Sequence, residues 1–315
     1  MRFSTLVPLA LAAAPVVSAA GKLGFALGVK NADGSCKSQA DFEKDFDVLK
    51  AHSTTVRTYA AADCNNAEAI VPAAKKKGFK LILGVCRPEC DPNRTKTLVR
   101  PDVPESFNAD TKALQKVVPG NEDVITAITV GSETLYRGNF TGQTLLEKIN
   151  QVQRMFPKVQ VGTADSWNKY ADGTADPLIA GGVKYLLVNA FAFWQGQDIG
   201  NATATYFDDM MQAISHIQKV AGKDADKIYI ATGETGWPTD GGTSYGAAKA
   251  STENAKTFHE KGVCGMLAWG VDVFYFEAFD EPWKPKSVGD NGKAADETHW
   301  GMYTAERQPK YKVEC

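Results

Sequence analysis

The 315-residue sequence predicts a single α/β domain, a (β/α)8 barrel, because short apolar runs alternate with amphipathic helical segments along its length. Helical periodicity is clear where Leu145, Ile149, Val152 and Phe156 are spaced along one face. Near-continuous apolar strands that alternate with helices indicate a parallel sheet, and eight units in about 295 residues fit a closed barrel better than a doubly wound sheet. The eight predicted strands are 22–29, 54–59, 79–85, 124–130, 158–163, 183–188, 227–232 and 264–271.

The N-terminus predicts a signal peptide over residues 1–20. Met1-Arg2 precedes an apolar run from Leu6 to Val17, and the small residues Ser18-Ala-Ala20 follow it. The run is too short to span a bilayer, and no later stretch approaches the roughly 18 apolar residues of a membrane helix. We therefore expect secretion without membrane insertion, and residues 21–315 as one mature domain without a linker.

The charge pattern limits the classes of ligand. The net charge is −2 at pH 7, and the lysines and arginines are spread rather than clustered. We therefore expect neither nucleic acid nor an anionic membrane as a partner, and a neutral ligand fits the charge pattern better. The histidines show no metal-binding spacing, so neither a metal nor another cofactor is expected.

Six cysteines in an exported chain favour disulfides over metal ligands. Fifteen pairings are possible. We favour Cys36 with Cys64 and Cys264 with Cys315, because each pair would connect neighbouring parts of the barrel. Cys86 and Cys90 could then close a small loop. Secretion would also expose three glycosylation sequons, at Asn93, Asn139 and Asn201.

In a (β/α)8 barrel the active site lies at the C-terminal ends of the strands, so polar residues that end a strand become candidates. Two glutamates stand out, because Glu133 and Glu234 each follow a strand and a small residue, Ser132 or Gly233. Glycosidic bond cleavage needs one protonated carboxyl and one ionised carboxylate. Direct attack by the second requires the two carboxyl groups about 5 to 5.5 Å apart. The alternative is that each glutamate is a structural partner for a buried arginine.

Eight motifs together resemble glycoside hydrolase family 17, and within it the fungal cell-wall β-1,3-glucanases and glucanosyltransferases. The similarity covers essentially all of residues 21–315. The motifs are Gly28-Val-Lys-Asn-Ala-Asp-Gly-Ser-Cys36, Tyr59-Ala-Ala-Ala-Asp-Cys64, Val130-Gly-Ser-Glu-Thr-Leu-Tyr-Arg137, Asp165-Ser-Trp-Asn168, Phe193-Trp-Gln-Gly-Gln197, Gly233-Glu-Thr-Gly-Trp-Pro-Thr-Asp-Gly241, Ala268-Trp-Gly-Val-Asp272 and Phe276-Glu-Ala-Phe-Asp-Glu281.

The resemblance implies a retaining mechanism on a β-1,3-glucan polysaccharide or oligosaccharide, in a monomeric enzyme of the extracellular cell wall. Glu133 would be the acid/base and Glu234 the nucleophile. Two departures are visible: Ser132 replaces the asparagine that many relatives carry before the acid/base, and Cys86 and Cys90 have no obvious counterpart. A non-catalytic glucan-binding wall protein and an exo-acting glucosidase remain alternatives, and the balance between hydrolysis and transfer stays open.

Further residues are predicted to bind substrate or to support the glutamates. All six tryptophans are predicted at strand ends or in the following loops, none in a helix, and flat rings suit stacking on sugar faces. Trp283 and Trp300 are expected to pack loops instead. Arg57 and Ser132 are expected to support the glutamates, and Glu277, Glu281 and Lys284 could orient the nucleophile, line a subsite or form a surface ion pair. The predicted substrate-binding residues are Tyr59, Asp165, Trp167, Asn189, Trp194, Trp237, Trp269, Glu277, Glu281 and Lys284.

Overall fold

The structure, a computed structural model, describes residues 20–85, 104–241, 244–285, 287–288 and 294–315. Most of the predicted signal peptide lies outside the described residues. Cys86, Cys90 and Asn93 lie outside them as well, so the predictions made for these positions stay predictions.

Eight parallel strands close into a barrel in chain order, with the last strand paired to the first. This confirms the predicted (β/α)8 fold. The strands are β1 (Leu23–Ala26), β2 (Thr55–Arg57), β3 (Lys80–Val85), β4 (Ile125–Ser132), β5 (Gln160–Ser166), β6 (Tyr185–Asn189), β7 (Tyr229–Thr235) and β8 (Val273–Tyr275). A two-stranded antiparallel sheet of β9 (Ser287–Val288) and β10 (Ala294–Ala295) was not predicted.

Helices surround the barrel and pack their apolar stripes against the strands. In the helix that begins after Thr141, the predicted stripe of Leu145, Ile149 and Val152 is buried, and the Thr141 hydroxyl caps the first turn by accepting from the Thr144 N–H. The helices are α1 (Gln39–Leu49), α2 (Asn66–Lys77), α3 (Pro104–Val117), α4 (Gly142–Met155), α5 (Trp167–Ala171), α6 (Asp176–Ala180), α7 (Ile199–Ala221), α8 (Thr252–Phe258) and α9 (Cys264–Ala268).

The core has two layers. The larger cluster fills the space between strands and helices, whereas a smaller cluster of strand residues, such as Ile82, Leu187 and Phe274, fills the barrel interior. Arg57, at the end of β2, is also fully buried. Among the described residues, no helix combines the length and the apolar character that crossing a membrane requires.

The prediction of strand 8 over 264–271 was wrong. The apolar run Cys264–Ala268 forms α9, which a π-helical turn over His259–Val263 connects to α8, and the strand itself is β8. A short apolar run cannot by itself distinguish a buried helix from a buried strand, and here Met266 and Leu267 are buried on a helix. Gly270, at φ 95°, then allows the chain to turn into β8.

Two disulfides fix loops at different places on the barrel. Cys36–Cys64 joins the segment after β1 to the segment after β2, and Cys264–Cys315 joins α9 to the C-terminus. Both predicted pairings are confirmed. The first disulfide restrains loops at the C-terminal face of the barrel, where active sites occur in this fold.

Candidate active site

Glu234 lies at the C-terminal end of β7, where the strand register shifts. Between β6 and β7 the pairing slips by one residue after Val188, so that Asn189 lies opposite Glu234. Bulges of this kind at a barrel rim re-aim side chains. The Glu234 side chain is only 9 % exposed, and its Oε1 accepts a hydrogen bond of 2.9 Å from Arg57 Nη1. Glu234 is therefore a carboxylate held by a cation that crosses from β2.

The ionisation of Glu234 is finely balanced. Burial raises the pKa of Glu234 to about 7, the Arg57 guanidinium acts against this rise, and the nearby Glu133 carboxylate adds to it. Arg57 therefore favours the ionised form of Glu234, whereas burial and the Glu133 carboxylate favour its protonated form.

Glu133 follows β4 in a tight turn and adopts a left-handed backbone conformation, with φ 55°. Its N–H donates to the carbonyl of Ala164 at 2.9 Å. The carboxylate accepts hydrogen bonds on both oxygens, at 3.2 Å from Asn189 Nδ2 and at 2.8 Å from Arg137 Nη2. Arg137 was not among the predicted site residues, and the spacing of four residues indicates a pair only on a helix, whereas Glu133 and Arg137 lie in a turn.

The two glutamates converge on the same part of the barrel mouth. Asn189 lies opposite Glu234 in the sheet and donates its side-chain amide to Glu133. Arg57, which holds Glu234, also approaches the Ser132 hydroxyl at 3.4 Å. Gly233 makes the close packing possible, because a Cβ there would lie 2.6 Å from the Asn189 amide oxygen. Asn189 is buried and positions Glu133, which is a different role from the sugar contact that the sequence suggested.

Asp165 is fully buried, so the predicted sugar contact has to be corrected. Its carboxylate accepts backbone N–H groups from Leu135 at 2.8 Å, Tyr136 at 3.1 Å and Ser166 at 2.9 Å. Leu135 and Tyr136 belong to the turn that carries Glu133. Asp165 therefore contacts the backbone of this turn and leaves no oxygen facing the cleft.

Glu277, Glu281 and Lys284 form a buried ion-pair group beyond β8. Lys284 Nζ lies 2.9 Å from Glu277 Oε1 and 2.8 Å from Glu281 Oε2; both glutamates are buried, and the Lys284 side chain is only 11 % exposed. The surface ion pair considered from the sequence is therefore wrong. Burial raises the pKa of Glu277, as does its neighbour Glu281, whereas Lys284 lowers it.

Aromatic residues around the glutamates differ widely in access. Tyr59 is half-buried, and its ring lies 5.0 Å from the Arg57 guanidinium. Trp194 is also half-buried and stacks on the buried Trp300, with 5.2 Å between the ring centroids. Trp167 is half-buried as the first residue of α5, so the expectation that no tryptophan lies in a helix was wrong. Tyr59, Trp167 and Trp194 keep a surface that a sugar could contact.

Two of the predicted substrate-binding tryptophans are not placed to contact a sugar beside the glutamates. Trp237 is fully buried, donates its Nε1–H to the Lys249 carbonyl at 2.9 Å and packs edge-on against Phe193. Trp269 is 45 % exposed, but it precedes β8 at the N-terminal face of the barrel, opposite the glutamates, and packs beside Phe207 of α7. The error at Trp269 follows from the misplaced strand 8.

Comparisons with known proteins agree with this geometry. The family model of the BtgE/BtgC glycoside hydrolase domain matches residues 24–301. The chain is 67 % identical to a glucan 1,3-beta-glucosidase of Arthroderma benhamiae, with 100 % of this chain and 98 % of that protein covered. It is 40 % identical to a glucan 1,3-beta-glucosidase of Saccharomyces cerevisiae, with 100 % and 99 % covered.

A solved structure extends the similarity to the whole barrel. An active-site mutant of the Rhizomucor miehei β-1,3-glucanosyltransferase in complex with laminaritriose superposes with a TM-score of 0.76 at 27 % identity, covering 93 % of this chain and 97 % of that one. A glycoside hydrolase family 17 β-1,3-glucanosyltransferase from Rhizomucor miehei superposes with a TM-score of 0.75 at 27 % identity, covering 92 % of this chain and 97 % of that one. The resemblance seen in the sequence motifs is thus confirmed, and the chain belongs to the BtgE/BtgC glycoside hydrolase family.

Proposed function

We propose that the protein is a retaining β-1,3-glucan hydrolase and glucanosyltransferase in which Glu234 is the nucleophile and Glu133 the acid/base. One observation carries the proposal: two glutamates from opposite sides of the barrel, on β7 and after β4, converge at the C-terminal face. A protein that only bound glucan would not need a second, separately held carboxylate beside the first.

In the first step, Glu234 attacks the anomeric carbon while Glu133 donates a proton to the departing oxygen. The ion pair with Arg57 favours the ionised form of Glu234, which the attack requires. The Asn189 amide and Arg137 fix the direction of the Glu133 carboxyl. The products of this step are a glycosyl-enzyme ester and a shortened glucan.

In the second step, Glu133 acts as a base towards the incoming hydroxyl group. Water as acceptor gives hydrolysis, whereas a sugar hydroxyl gives transfer and a longer chain. Trp194 and Trp167 offer partly open aromatic surfaces that would hold a neutral sugar beside the intermediate. These surfaces support transfer at high oligosaccharide concentration.

β-1,3-Glucan as the substrate is supported by the relatives, two of which are named glucan 1,3-beta-glucosidases, and by the laminaritriose complex of the Rhizomucor enzyme. The near-neutral charge of the chain is compatible with a neutral polysaccharide. We place the enzyme outside the cell, in the fungal cell wall, as a monomer. The signal-like N-terminus and the disulfides support this location.

The test is a product profile from a reduced laminari-oligosaccharide of defined length, at low and at high substrate concentration. The alditol end shows which fragment is released and which is transferred. Shorter products at low concentration and products longer than the substrate at high concentration are expected, with the newly formed anomer in the β configuration. The α anomer would contradict retention, and release of glucose alone would indicate an exo-acting glucosidase. Binding without cleavage by correctly folded protein would indicate a non-catalytic wall protein.

A further inference from the structure

The turn that carries Glu133 is attached to the neighbouring strand β5 at three points. The Glu133 N–H donates to the Ala164 carbonyl at 2.9 Å, and the N–H groups of Leu135 and Tyr136 donate to the Asp165 carboxylate at 2.8 and 3.1 Å. Asp165 lies 30 residues from Leu135 in sequence, so this attachment is a tertiary contact between consecutive strand ends.

The turn needs such support, because Glu133 adopts a positive φ of 55°. For a residue with a Cβ this conformation costs of the order of 1 kcal/mol or more and persists only where the surroundings impose it. The two oxygens of the Asp165 carboxyl group accept from several N–H groups at once, and these hydrogen bonds act against burial, which raises the pKa of Asp165 to about 7. No cation is paired with Asp165 among the described residues, so backbone N–H groups are its partners.

We propose that Asp165 is a positioning residue for the reaction, which holds the turn after β4 so that the Glu133 carboxyl reaches the oxygen of the scissile bond. The proposal rests on the proposed function, because it takes Glu133 as the acid/base. Asp165 is fully buried and accepts from the backbone N–H groups of Leu135, Tyr136 and Ser166, so its influence should be confined to the proton transfers that Glu133 performs.

The substitution Asp165→Asn tests the contact with the turn selectively, because it keeps the shape of the side chain and changes its hydrogen bonding. The amide has almost the shape of the carboxylate, but one of its two acceptor oxygens becomes an NH2 group. Either orientation of that group places a donor against a backbone N–H, at Leu135 on one side or at Tyr136 and Ser166 on the other. The turn should shift by a fraction of an ångström. Displacement of a catalytic group by about 1 Å can cost about 100-fold in rate.

The experiment measures the leaving-group dependence of Asp165→Asn in the full-length protein. A β-laminaribioside with a poor leaving group, such as 4-methoxyphenol, needs protonation, whereas 2,4-dinitrophenol departs without it. We expect kcat for the poor leaving group to fall by about 10- to 100-fold, with KM within about threefold. The burst of 2,4-dinitrophenol should keep its rate within about threefold, since Glu234 is undisturbed. Azide should accelerate the slow second step and give the β-glycosyl azide.

Two control variants separate this role from a general loss of structure. Tyr311→Phe removes a buried hydrogen bond of 2.9 Å to Tyr275 on the helix side of the barrel. It should lower the melting temperature by an amount similar to Asp165→Asn, without any leaving-group dependence. Like Asp165→Asn, Glu133→Ala should lower the rate with the poor leaving group and keep the burst of 2,4-dinitrophenol. The loss with the poor leaving group should be larger than in Asp165→Asn. If Glu133→Ala lacks that pattern, the assignment of the acid/base fails, and the proposal for Asp165 fails with it.

The proposal for Asp165 alone is overturned by either of two results, provided that Glu133→Ala behaves as expected. In the first, Asp165→Asn lowers the rates on the 4-methoxyphenyl and the 2,4-dinitrophenyl substrates by the same factor; in the second, it leaves both rates unchanged. If Asp165→Asn does not fold, Asp165→Ser decides by the same measurements. Serine removes the charge and leaves a hydroxyl that can accept from one N–H, without forcing a second donor against the turn. A rate for the poor leaving group equal to that of the wild type in Asp165→Ser would also overturn the proposal.

Discussion

Glu234 and Glu133 are the same type of residue in two different settings. Glu234 belongs to a strand, has a side chain that is 9 % exposed, and is held by Arg57, which is itself buried. Glu133 belongs to a turn, has a side chain that is 17 % exposed, and is held by Arg137, whose side chain is 54 % exposed. One carboxylate is thus fixed inside the barrel rim, and the other lies in a more accessible loop.

The difference suits two different tasks. A nucleophile forms a covalent bond at one carbon and gains from rigid placement against a permanent positive charge. An acid/base must lose and regain a proton in every cycle, so contact with the open cleft is an advantage. The different environments therefore support the proposed roles, with Glu234 as the nucleophile and Glu133 as the acid/base. Each of the following predictions tests whether the two settings differ in this way.

The largest effect is expected for Glu234→Ala. The variant lacks the atom that bonds to the anomeric carbon, so turnover should fall by about 10,000-fold or more, even with a 2,4-dinitrophenyl leaving group. Azide could then only attack directly and give the α-glycosyl azide. Steady-state rates and the anomeric configuration of the azide product, read by NMR, check this. Rescue of Glu234→Ala as the β-glycosyl azide would show that the roles are reversed.

Glu133→Ala should have a smaller effect that depends on the substrate. Protonation of the leaving group contributes roughly 100- to 10,000-fold, so activity on laminarin should fall within this range. The 2,4-dinitrophenyl glycoside should still form the intermediate, and azide should release it as the β-glycosyl azide. The ratio of rates on the two substrates is the quantity to measure. An equal loss on both would contradict an acid/base role and remove the contrast with Glu234.

Arg57→Met tests the permanent cation beside Glu234. The guanidinium lowers the pKa of Glu234 against the effect of burial, so its removal should raise this pKa beyond about 7. Because the nucleophile must be ionised, the acidic limb of the kcat/KM profile should move to higher pH, by about one unit or more. Below this limb, each unit costs about tenfold in kcat/KM. Arg154→Met, which removes an exposed arginine of α4, should leave the profile unchanged. An unshifted limb in Arg57→Met would contradict the role of Arg57.

The fold was predictable because seven of the eight strands are apolar runs bounded by polar segments, and the helices between them have clear periodicity. The eighth strand was missed because β8 has only three residues and lies just after a longer apolar run that forms α9. Burial alone makes both segments apolar, so hydrophobicity could not decide between them. One misplaced strand then moved Trp269 from the N-terminal to the C-terminal face.

The glutamates and Arg57 could be located from the sequence because strand ends meet at one face of the barrel. Asp165 and Asn189 were located by the same rule, but their roles were not, since a strand end does not show whether a side chain faces the cleft or a neighbouring loop. Trp237 shows the same limit, because an indole in a site motif can be buried completely. Arg137 was missed because its contact depends on the left-handed turn at Glu133.

The smallest effect is expected for Ser132→Ala. This variant tests whether the surroundings of Glu234 and of Glu133 are coupled through Ser132, which precedes Glu133 and lies near Arg57. The Ser132 hydroxyl lies 3.4 Å from Arg57 Nη2, a long contact for a hydrogen bond, while Arg57 keeps its bonds to Glu234 and to the Gly233 carbonyl at 2.9 Å each. Loss of so weak a contact should change kcat/KM on laminarin by less than about threefold. The pH profile should stay in place, because the charge beside Glu234 is unchanged. A shifted profile in Ser132→Ala would mean that Ser132 orients Arg57, and that the nucleophile and the acid/base turn are linked more tightly than their separate partners suggest.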